Sequence, residues 1–434
     1  MALIAPRFYD EDGLIPDVGG LNATLDCMED LIGVGAVRAA ATPGYGCLAE
    51  VLFKMCLGNH IGLALNDDSD DVLDMDDLFR LAYGSFVVEL TDDAVLSEVD
   101  EELVSVTVIG KTIEDYRFAA YSEDIDMAKL QESWEEGIES VFPYRHKGEE
   151  VQQVSWSERP PLVCTEMFAK PRVIIPVFPG TNCEYDTAYA FKRAGAVPEV
   201  LVINNLTPEH VVESTKALVD AINRSQIVML PGGFSGGDEP DGSAKFITAF
   251  FRAPEVTEAV RNLLQRRDGL MLGICNGFQA LIKLGLVPYG DILPASEEAP
   301  TLTFNTIGRH QSGLVRTRVA SSLSPWLSCM QVGDIHTVAI SHGEGRFVAS
   351  PELVAQLAAS GQIATQYVDE AGKPSMDWSV NPNGSVWAVE GITSPDGRIL
   401  GKMGHTERSG NGLYKNVPGN LYQPLFEGGV NYFA

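Results

Sequence analysis

The chain has 434 residues, of which 45% are hydrophobic, and its formal net charge is −29. This length predicts two or three domains, and neither a run of 18 apolar residues nor a signal peptide is evident, so we expect no membrane span. The seven cysteines form no regular framework, which is typical of a reducing compartment and predicts a cytoplasmic protein. So acidic a chain is a poor candidate for nonspecific nucleic-acid binding, which needs Lys and Arg.

The negative charge is concentrated in the first third of the chain. Residues 1–150 hold 33 Asp and Glu against 9 Lys and Arg, whereas the remainder has a net charge of only −5. The acids stand in near-continuous runs, such as 67–71 and 98–102. Runs of this kind lack the spacing of metal ligands, so they indicate a solvated acidic surface rather than a metal site.

Residues 1–150 are predicted to form a domain of mixed α-helices and β-strands. Helical periodicity covers 21–32 and 46–57, and strand-like runs cover 85–90 and 103–109. Between residues 151 and 170 the periodicity is lost and Pro160-Pro161 occurs, which is typical of an extended linker.

From residue 171 to residue 434 the pattern predicts a second domain in which strands and helices alternate. The alternation predicts a mostly parallel sheet covered by helices on both faces, with functional residues at the carboxyl ends of the strands. The predicted strands are 173–178, 199–203, 226–230, 270–274 and 399–403, and the predicted helices are 185–195, 208–223, 255–267 and 276–284.

The strongest chemical signal in the sequence is residues 273–277, Gly-Ile-Cys-Asn-Gly, between an apolar strand and an apolar helix. This pattern is a nucleophile elbow with Cys275 as the nucleophile. Flanking glycines relieve the crowding of such a turn, and the amino end of the following helix favours the thiolate. The Asn276 amide would lie where a tetrahedral intermediate carries its negative oxygen. The alternative, a small buried cysteine, does not require the two glycines.

A cysteine nucleophile needs a base and a group that orients the base. His405 and Glu407 follow a predicted strand, and on an extended segment residues two apart point to the same side. His342 also has a carboxylate two residues on, Glu344, and is the rival base. The spacing alone does not choose between the two histidines.

A glycine-rich run, 232–237, follows the predicted third strand. Its bare backbone amides suit a second oxyanion donor, and a phosphate cradle is the competing interpretation. The run lacks the Gly-Lys-Ser/Thr ending of a phosphate-binding loop, and its next lysine is Lys245.

Together, the Pro-Gly-Gly loop, the elbow and the late His-x-Glu resemble the class I (triad) glutamine amidotransferases. Within that class, residues 171–434 are most similar to the phosphoribosylformylglycinamidine synthase family of purine biosynthesis. The resemblance rests on segments 178–184, 231–235, 275–277, 341–346 and 414–420. One departure from the family pattern is Thr406, where proline is common.

The resemblance implies a role for each candidate residue of the second domain. His405 is then the base, and His342 belongs to a loop that lines the glutamine pocket. Cys183 is a loop residue and not a second nucleophile. The implied site is Cys275, His405 and Glu407 for catalysis, with Gly232, Gly233, Asn276, Gln279 and His342 for the oxyanion and substrate, and with no metal or cofactor for glutamine hydrolysis.

Residues 1–150 resemble the last synthetase subdomain of the same family, the carboxyl-terminal domain of the aminoimidazole ribonucleotide synthetase fold. The similar segments are 42–50, 53–55 and 58–62, with Cys47 where glycine is usual. The chain therefore resembles the carboxyl-terminal third of a large synthase. By the same resemblance, a partner chain or segment would carry the other synthetase subdomains, and ATP and Mg²⁺ would serve the full reaction mostly outside this chain.

Three hypotheses follow from these patterns. The first is a glutamine-hydrolysing subunit that supplies ammonia for the ATP-dependent conversion of formylglycinamide ribonucleotide to its amidine. The second is an independent glutaminase or an amidotransferase for another acceptor. The third is a non-catalytic subunit, which the intact Cys275, His405 and Glu407 set argues against.

Overall fold

The computed structural model describes the chain except residues 67–72, 74, 75, 92–95, 97, 98, 100, 101, 121, 122, 142–147, 149, 150, 159–163, 235–243, 411 and 416. It divides the chain into two compact units, Met1–Phe142 and Pro143–Ala434. The acidic run 67–71, most of the run 98–102, the pair Pro160-Pro161 and the end of the glycine-rich run lie outside the described residues. Within the described part of the chain, every helix is too short or too polar to cross a membrane.

The first unit contains short strands and three helices among its described residues. The helices predicted over 21–32 and 46–57 and the strands predicted over 85–90 and 103–109 are confirmed. The elements are β1 (Ala2–Pro6), α1 (Val18–Gly33), β2 (Val37–Ala41), α2 (Cys47–Leu57), β3 (Gly62–Leu65), β4 (Phe86–Leu90), β5 (Val104–Val108), β6 (Gly110–Ile113), β7 (Arg117–Ala120), β8 (Glu123–Asp126) and α3 (Met127–Glu136).

The strands of this unit form two four-stranded sheets, ordered β2-β4-β1-β5 and β6-β3-β7-β8. All pairs are antiparallel except β3 with β7. Two apolar clusters form the core, one around Leu52 of α2 and Leu63 of β3, the other around Ile4 of β1 and Met28 of α1. The unit is therefore a mixed α and β domain, as its periodicity predicts.

The second unit contains a longer series of elements. They are β9 (Arg172–Val177), α4 (Glu184–Arg193), β10 (Val197–Val202), α5 (Pro208–Arg224), β11 (Ile227–Leu230), α6 (Lys245–Phe251), α7 (Pro254–Arg266), β12 (Leu270–Ile274), α8 (Asn276–Leu284), α9 (Leu286–Tyr289), β13 (Thr301–Thr303), β14 (Gln311–Val319), β15 (Ile335–His342), β16 (Arg346–Val348), α10 (Pro351–Ala359), β17 (Ile363–Val368), β18 (Val389–Thr393), β19 (Ile399–Lys402) and α11 (Leu425–Asn431).

A nine-stranded sheet forms the centre of this unit, in the order β10-β9-β11-β12-β19-β18-β17-β14-β15. The first five strands pair in parallel, whereas the remaining four pairs are antiparallel. The expectation of a mostly parallel sheet thus holds only for half of it. Within the antiparallel half, β18 and β19 are joined by a short connection, which antiparallel pairing permits.

The sheet order places two distant parts of the chain side by side. Strand β12 pairs in parallel with β19, with Ile274 opposite Lys402. Both strands therefore end at the same edge, where Cys275 follows one and His405 follows the other after two residues. Helix α8 packs on β11, β12 and β19 beneath this edge.

The segment before β9 packs on the second unit. The Val154 amide donates to Gln366 Oε1 (2.8 Å), and the Trp156 amide donates to the Ala320 carbonyl (2.9 Å). Val154 is also buried in the core of this unit. Residues 154–156 are thus held along β14 and β17 in the described structure.

Candidate active site

Cys275 lies at a sharp turn between β12 and α8. Its backbone has φ 54° and ψ −107°, a conformation that L-amino acids rarely adopt. Gly277 permits the turn, because a Cβ at this position would lie 1.9 Å from the Leu230 carbonyl oxygen. The elbow therefore requires both a strained residue at position 275 and a glycine two residues later.

The surroundings of Cys275 connect three strands. Its side chain is buried, its amide donates to the Lys402 carbonyl (2.8 Å), and its Sγ lies 3.8 Å from the Ser341 carbonyl oxygen. Strands β12, β19 and β15 thus meet around the sulfur. The amino end of α8 begins at the next residue, where the partial positive charge of the helix favours a thiolate.

His405 and Glu407 form a buried hydrogen-bonded pair. Nδ1 of His405 lies 2.5 Å from Oε1 of Glu407, and the two side chains are 1% and 0% exposed. Burial alone would lower the pKa of His405, but Glu407 and Cys275 outweigh it and hold the pKa well above its ordinary value. For Glu407 the cost of burial is likewise outweighed, and the charge and hydrogen bond of His405 lower its pKa.

The segment that carries this pair is a turn and not the extended strand expected from the sequence. Strand β19 ends at Lys402, and the His405 amide donates to the Ala339 carbonyl of β15 (2.8 Å). The Arg408 amide then donates back to the His405 carbonyl (3.2 Å). The two side chains meet through this turn, so the predicted contact occurs in a different local structure.

The Nε2 atom of His405 is buried, and among the described residues it has no hydrogen-bond partner. Its other ring nitrogen is engaged by Glu407. Cys275 also raises the pKa of His405, after the larger effect of Glu407. This arrangement suits proton exchange between a thiol and an imidazole.

His342, the rival base, has a different environment. Neither of its ring nitrogens has a hydrogen-bond partner among the described residues, and the residue is 2% exposed. Burial, followed by repulsion from His405 and His310, lowers its pKa to about 3. His342 is therefore neutral at physiological pH, and no described carboxylate orients it.

The low pKa of His342 predicts a pH dependence of stability. The ordinary pKa of histidine is near 6.5, so below pH 6.5 the unfolded chain binds a proton that the folded chain binds only near pH 3. We expect the free energy of unfolding of wild type, relative to His342→Asn, to fall by roughly 1.4 kcal/mol per pH unit below pH 6. Urea denaturation of both proteins at pH 7.5, 6 and 5 measures this difference. A difference that stays constant over this range contradicts the prediction.

The start of the glycine-rich loop lies beside His405. The Asn182 amide donates to the Gly232 carbonyl (3.3 Å), and the Phe234 amide donates to the Gly180 carbonyl (2.7 Å). These bonds flank Gly233 (φ 148°) and Thr181, which face each other as an antiparallel pair that shares no hydrogen bond. The amide of Gly233 therefore points away from Thr181. A Cβ at Gly232 would lie 2.8 Å from Cε1 of His405, so only glycine fits there.

Two residues of α8 connect the elbow to the loop after β15. The Asn276 side-chain amide donates to Oε1 of Gln279 (2.9 Å), and Nε2 of Gln279 donates to the Glu344 carbonyl (2.6 Å). Asn305, which lies in none of the sequence motifs, donates through Nδ2 to the His342 carbonyl (2.8 Å). Asn276 and Gln279 thus form one buried chain of hydrogen bonds that reaches the loop after β15, whereas His342 is held through its backbone carbonyl by Asn305.

Cys183 lies closer to His405 than its interpretation as a loop residue suggests. Its Sγ is 4.0 Å from Nδ1 of His405, and Nη2 of Arg408 donates to the same sulfur (3.2 Å). Arg408 directly follows Glu407, and this adjacency is the sequence signal that could have identified it.

Cys183, His405 and Glu407 also place three possible metal-ligating atoms within 4.8 Å of one another. Two features disfavour a metal ion there. The imidazole and carboxylate are already hydrogen-bonded to each other, and the positive guanidinium of Arg408 contacts the sulfur. The geometry fits a proton-transfer pair better than a metal centre.

Comparison with known proteins matches most of the second unit to a protein family. The family model of the CobB/CobQ-like glutamine amidotransferase domain matches residues 170–433. Phosphoribosylformylglycinamidine synthase subunit PurQ of Methanococcus maripaludis is 33% identical over 243 residues, covering 55% of this chain and 82% of that protein. The subunit of the same name from Symbiobacterium thermophilum is 34% identical over 248 residues, covering 56% of this chain and 91% of that protein.

Among solved structures, the chain is similar to one described as the structure of PurLQS from Thermotoga maritima. The TM-score is 0.43 and the sequence identity is 24%, covering 61% of this chain and 100% of that chain.

Proposed function

The chain belongs to the CobB/CobQ-like glutamine amidotransferase family, and we propose that it hydrolyses glutamine with Cys275, His405 and Glu407 as its catalytic triad. The observation that carries this proposal is the buried His405–Glu407 pair beside the strained Cys275 elbow. The oriented base and the nucleophile come from neighbouring parallel strands, and their ionisation is electrostatically coupled.

The first chemical step is attack of the Cys275 thiolate on the side-chain amide carbon of glutamine. His405 takes the thiol proton, and Glu407 stabilises the resulting imidazolium. As the tetrahedral intermediate collapses, the carbon–nitrogen bond breaks. His405 gives its proton to the departing ammonia, and a glutamyl thioester remains on Cys275. Water, with His405 as base, then releases glutamate and restores the thiol.

Backbone amides stabilise the negative oxygen of that intermediate. We assign this role to Gly233, whose amide points away from its partner segment, and to Asn276 at the start of α8. Gly232 keeps the loop close to His405 without a side chain that would displace the imidazole.

Gln279 and His342 serve the glutamine pocket rather than proton transfer. Gln279 holds the loop after β15 through the Glu344 carbonyl, and His342, the last residue of β15, lies buried and neutral just before that loop. A neutral imidazole contributes shape and hydrogen bonding to an amide substrate without competing with His405 for the thiol proton.

The acceptor of the ammonia follows from the curated relatives, which are phosphoribosylformylglycinamidine synthase subunits. We propose that this chain supplies ammonia for the ATP-dependent conversion of formylglycinamide ribonucleotide to its amidine in purine biosynthesis, in the cytoplasm. ATP and Mg²⁺ serve that second reaction, and we place their sites mostly on a partner chain or segment with the other synthetase subdomains. Residues 1–150 are proposed as the last synthetase subdomain, 151–170 as a linker and 171–434 as the amidotransferase domain.

The test is glutamate release from glutamine by the full chain, combined with labelling by a glutamine-analogue chloroketone. We expect labelling at Cys275 that free glutamine blocks, and weak hydrolysis that rises roughly tenfold when the synthetase partner and its substrates are added. Brisk hydrolysis that no partner changes would support an independent glutaminase instead. Absence of both labelling and hydrolysis, with the partner present, would refute the proposed function.

A further inference from the structure

A fully buried ion pair lies behind the candidate triad. Nζ of Lys402 is 3.5 Å from Oε1 of Glu390, and their side chains are 1% and 0% exposed. Burying two charges is costly, and apolar residues of similar volume often stabilise a protein as well or better. Stability alone therefore does not account for a pair at this position.

The contacts of the pair converge on the backbone next to the base. Oε1 of Glu390 accepts a hydrogen bond from the Gly404 amide (2.6 Å), and Nζ of Lys402 donates to the Gly404 carbonyl (3.1 Å). Both polar groups of the Gly404 backbone are thus held by one ion pair. Gly404 has no side chain that could hold it by packing.

Lys402 also holds the residue on the other side of His405. Its Nζ donates to Oγ1 of Thr406 (2.7 Å) and to Oε1 of Gln423 (3.1 Å). The Thr406 hydroxyl in turn donates to Gln423 (2.6 Å). The ion pair therefore fixes the residue before His405 and the residue after it.

The same lysine contacts the nucleophile through its main chain. The Lys402 carbonyl accepts the hydrogen bond from the Cys275 amide (2.8 Å). One residue thus holds the elbow with its backbone and the turn of the base with its side chain. A shift of Lys402 would change the distance between the Cys275 sulfur and the His405 ring.

We propose that Lys402 and Glu390 are positioning residues that set His405 against Cys275. This inference rests on the proposed function of the triad. A displacement of about 1 Å in a catalytic group can cost about 100-fold in rate, so a rigid support of this turn has a direct kinetic consequence. Neither side chain needs to touch glutamine.

The test uses the full chain with the double substitution Lys402→Met/Glu390→Gln, which removes both charges and keeps similar volumes. We expect kcat for glutamine hydrolysis to fall roughly 10- to 100-fold, with KM changed less than about threefold. The matched control is Arg398→Met/Asp396→Asn, which removes an ion pair at the other end of β19 (2.8 Å). The control is expected to keep the kinetics of wild type.

A second readout does not depend on glutamine turnover. The pH profile of Cys275 alkylation by iodoacetamide, read by mass spectrometry, reports how well His405 stabilises the thiolate. We expect the midpoint of that profile to move upward by about one pH unit or more in the double variant. If wild type hydrolyses no glutamine but the profile still shifts, the proposed function fails and the positioning role stands.

Thr406→Val provides a variant with a smaller change, since it removes only the hydroxyl that Lys402 contacts. It is expected to shift the alkylation profile in the same direction, and it decides the question if the double variant does not fold. A folded double variant with an unchanged profile and kcat within about threefold of wild type would overturn the proposal. An unchanged profile in Thr406→Val, where the double variant is unfolded, would do the same.

Discussion

Cys275→Ala is expected to lower glutamine hydrolysis by about 10⁴-fold or more, because the substitution removes the sulfur on which the proposed thioester forms. Cys275 begins the turn into α8 with φ 54°, so the backbone already presents its side chain at the carboxyl end of β12. Alanine fits that space and leaves the core intact. The assay is glutamate release at saturating glutamine, with circular dichroism as the check on folding.

The control for this substitution is Cys329→Ala, since Cys329 is exposed and distant from the site in sequence. Its hydrolysis rate should equal that of wild type. Cys183→Ala is the informative comparison, because the Cys183 sulfur lies 4.0 Å from Nδ1 of His405. Loss of labelling in Cys183→Ala together with retained hydrolysis in Cys275→Ala would identify Cys183 as the nucleophile. That result would contradict our assignment.

His405→Gln is expected to lower kcat by about 10³-fold or more, whereas His342→Gln should act mainly on KM. Of these two described histidines, His405 is hydrogen-bonded to a buried carboxylate (2.5 Å) and has its pKa raised by Glu407 and Cys275, whereas His342 has neither feature. His342, with a pKa of about 3, has almost no basicity near neutral pH. Steady-state kinetics at pH 7.5 separate the two effects.

His210→Gln is the control for the histidine series, since His210 lies on α5, which carries none of the candidate site residues. It should keep both kcat and KM. If His342→Gln lost kcat as severely as His405→Gln while KM stayed constant, both histidines would take part in proton transfer. That outcome would contradict a purely substrate-binding role for His342.

Local sequence patterns predicted the elements that carry the site. The glycines at 273 and 277 identified the elbow, because a helix can pass so close to a strand only where side chains are absent. The periodicity of 276–284 and of the strand before it placed Cys275 at a strand-to-helix turn. The elbow is thus encoded within a few residues and needs no information about distant contacts.

The choice between the two candidate bases depends on contacts that are distant in sequence. His342 and His405 each precede a carboxylate by two residues, so spacing alone could not rank them. The structure differentiates them because β12 pairs with β19, and because the turn after β19 brings Glu407 to His405. The predicted extended segment at 404–407 was wrong, since the Arg408 amide folds back to the His405 carbonyl and closes a turn.

The sequence by itself determined the two-part organisation, the acidic character of residues 1–150, the Cys275 elbow and the candidate His-x-Glu segments. These features depend on composition and on residues close together in the chain. Only the tertiary structure revealed that Cys183 and Arg408 adjoin His405, and that Lys402 and Glu390 lie buried behind it. From sequence alone, a lysine in a strand is predicted to be exposed, because isolated charges avoid the core. Its burial became visible only when the sheet brought Glu390, Thr406 and Gln423 around its ammonium group.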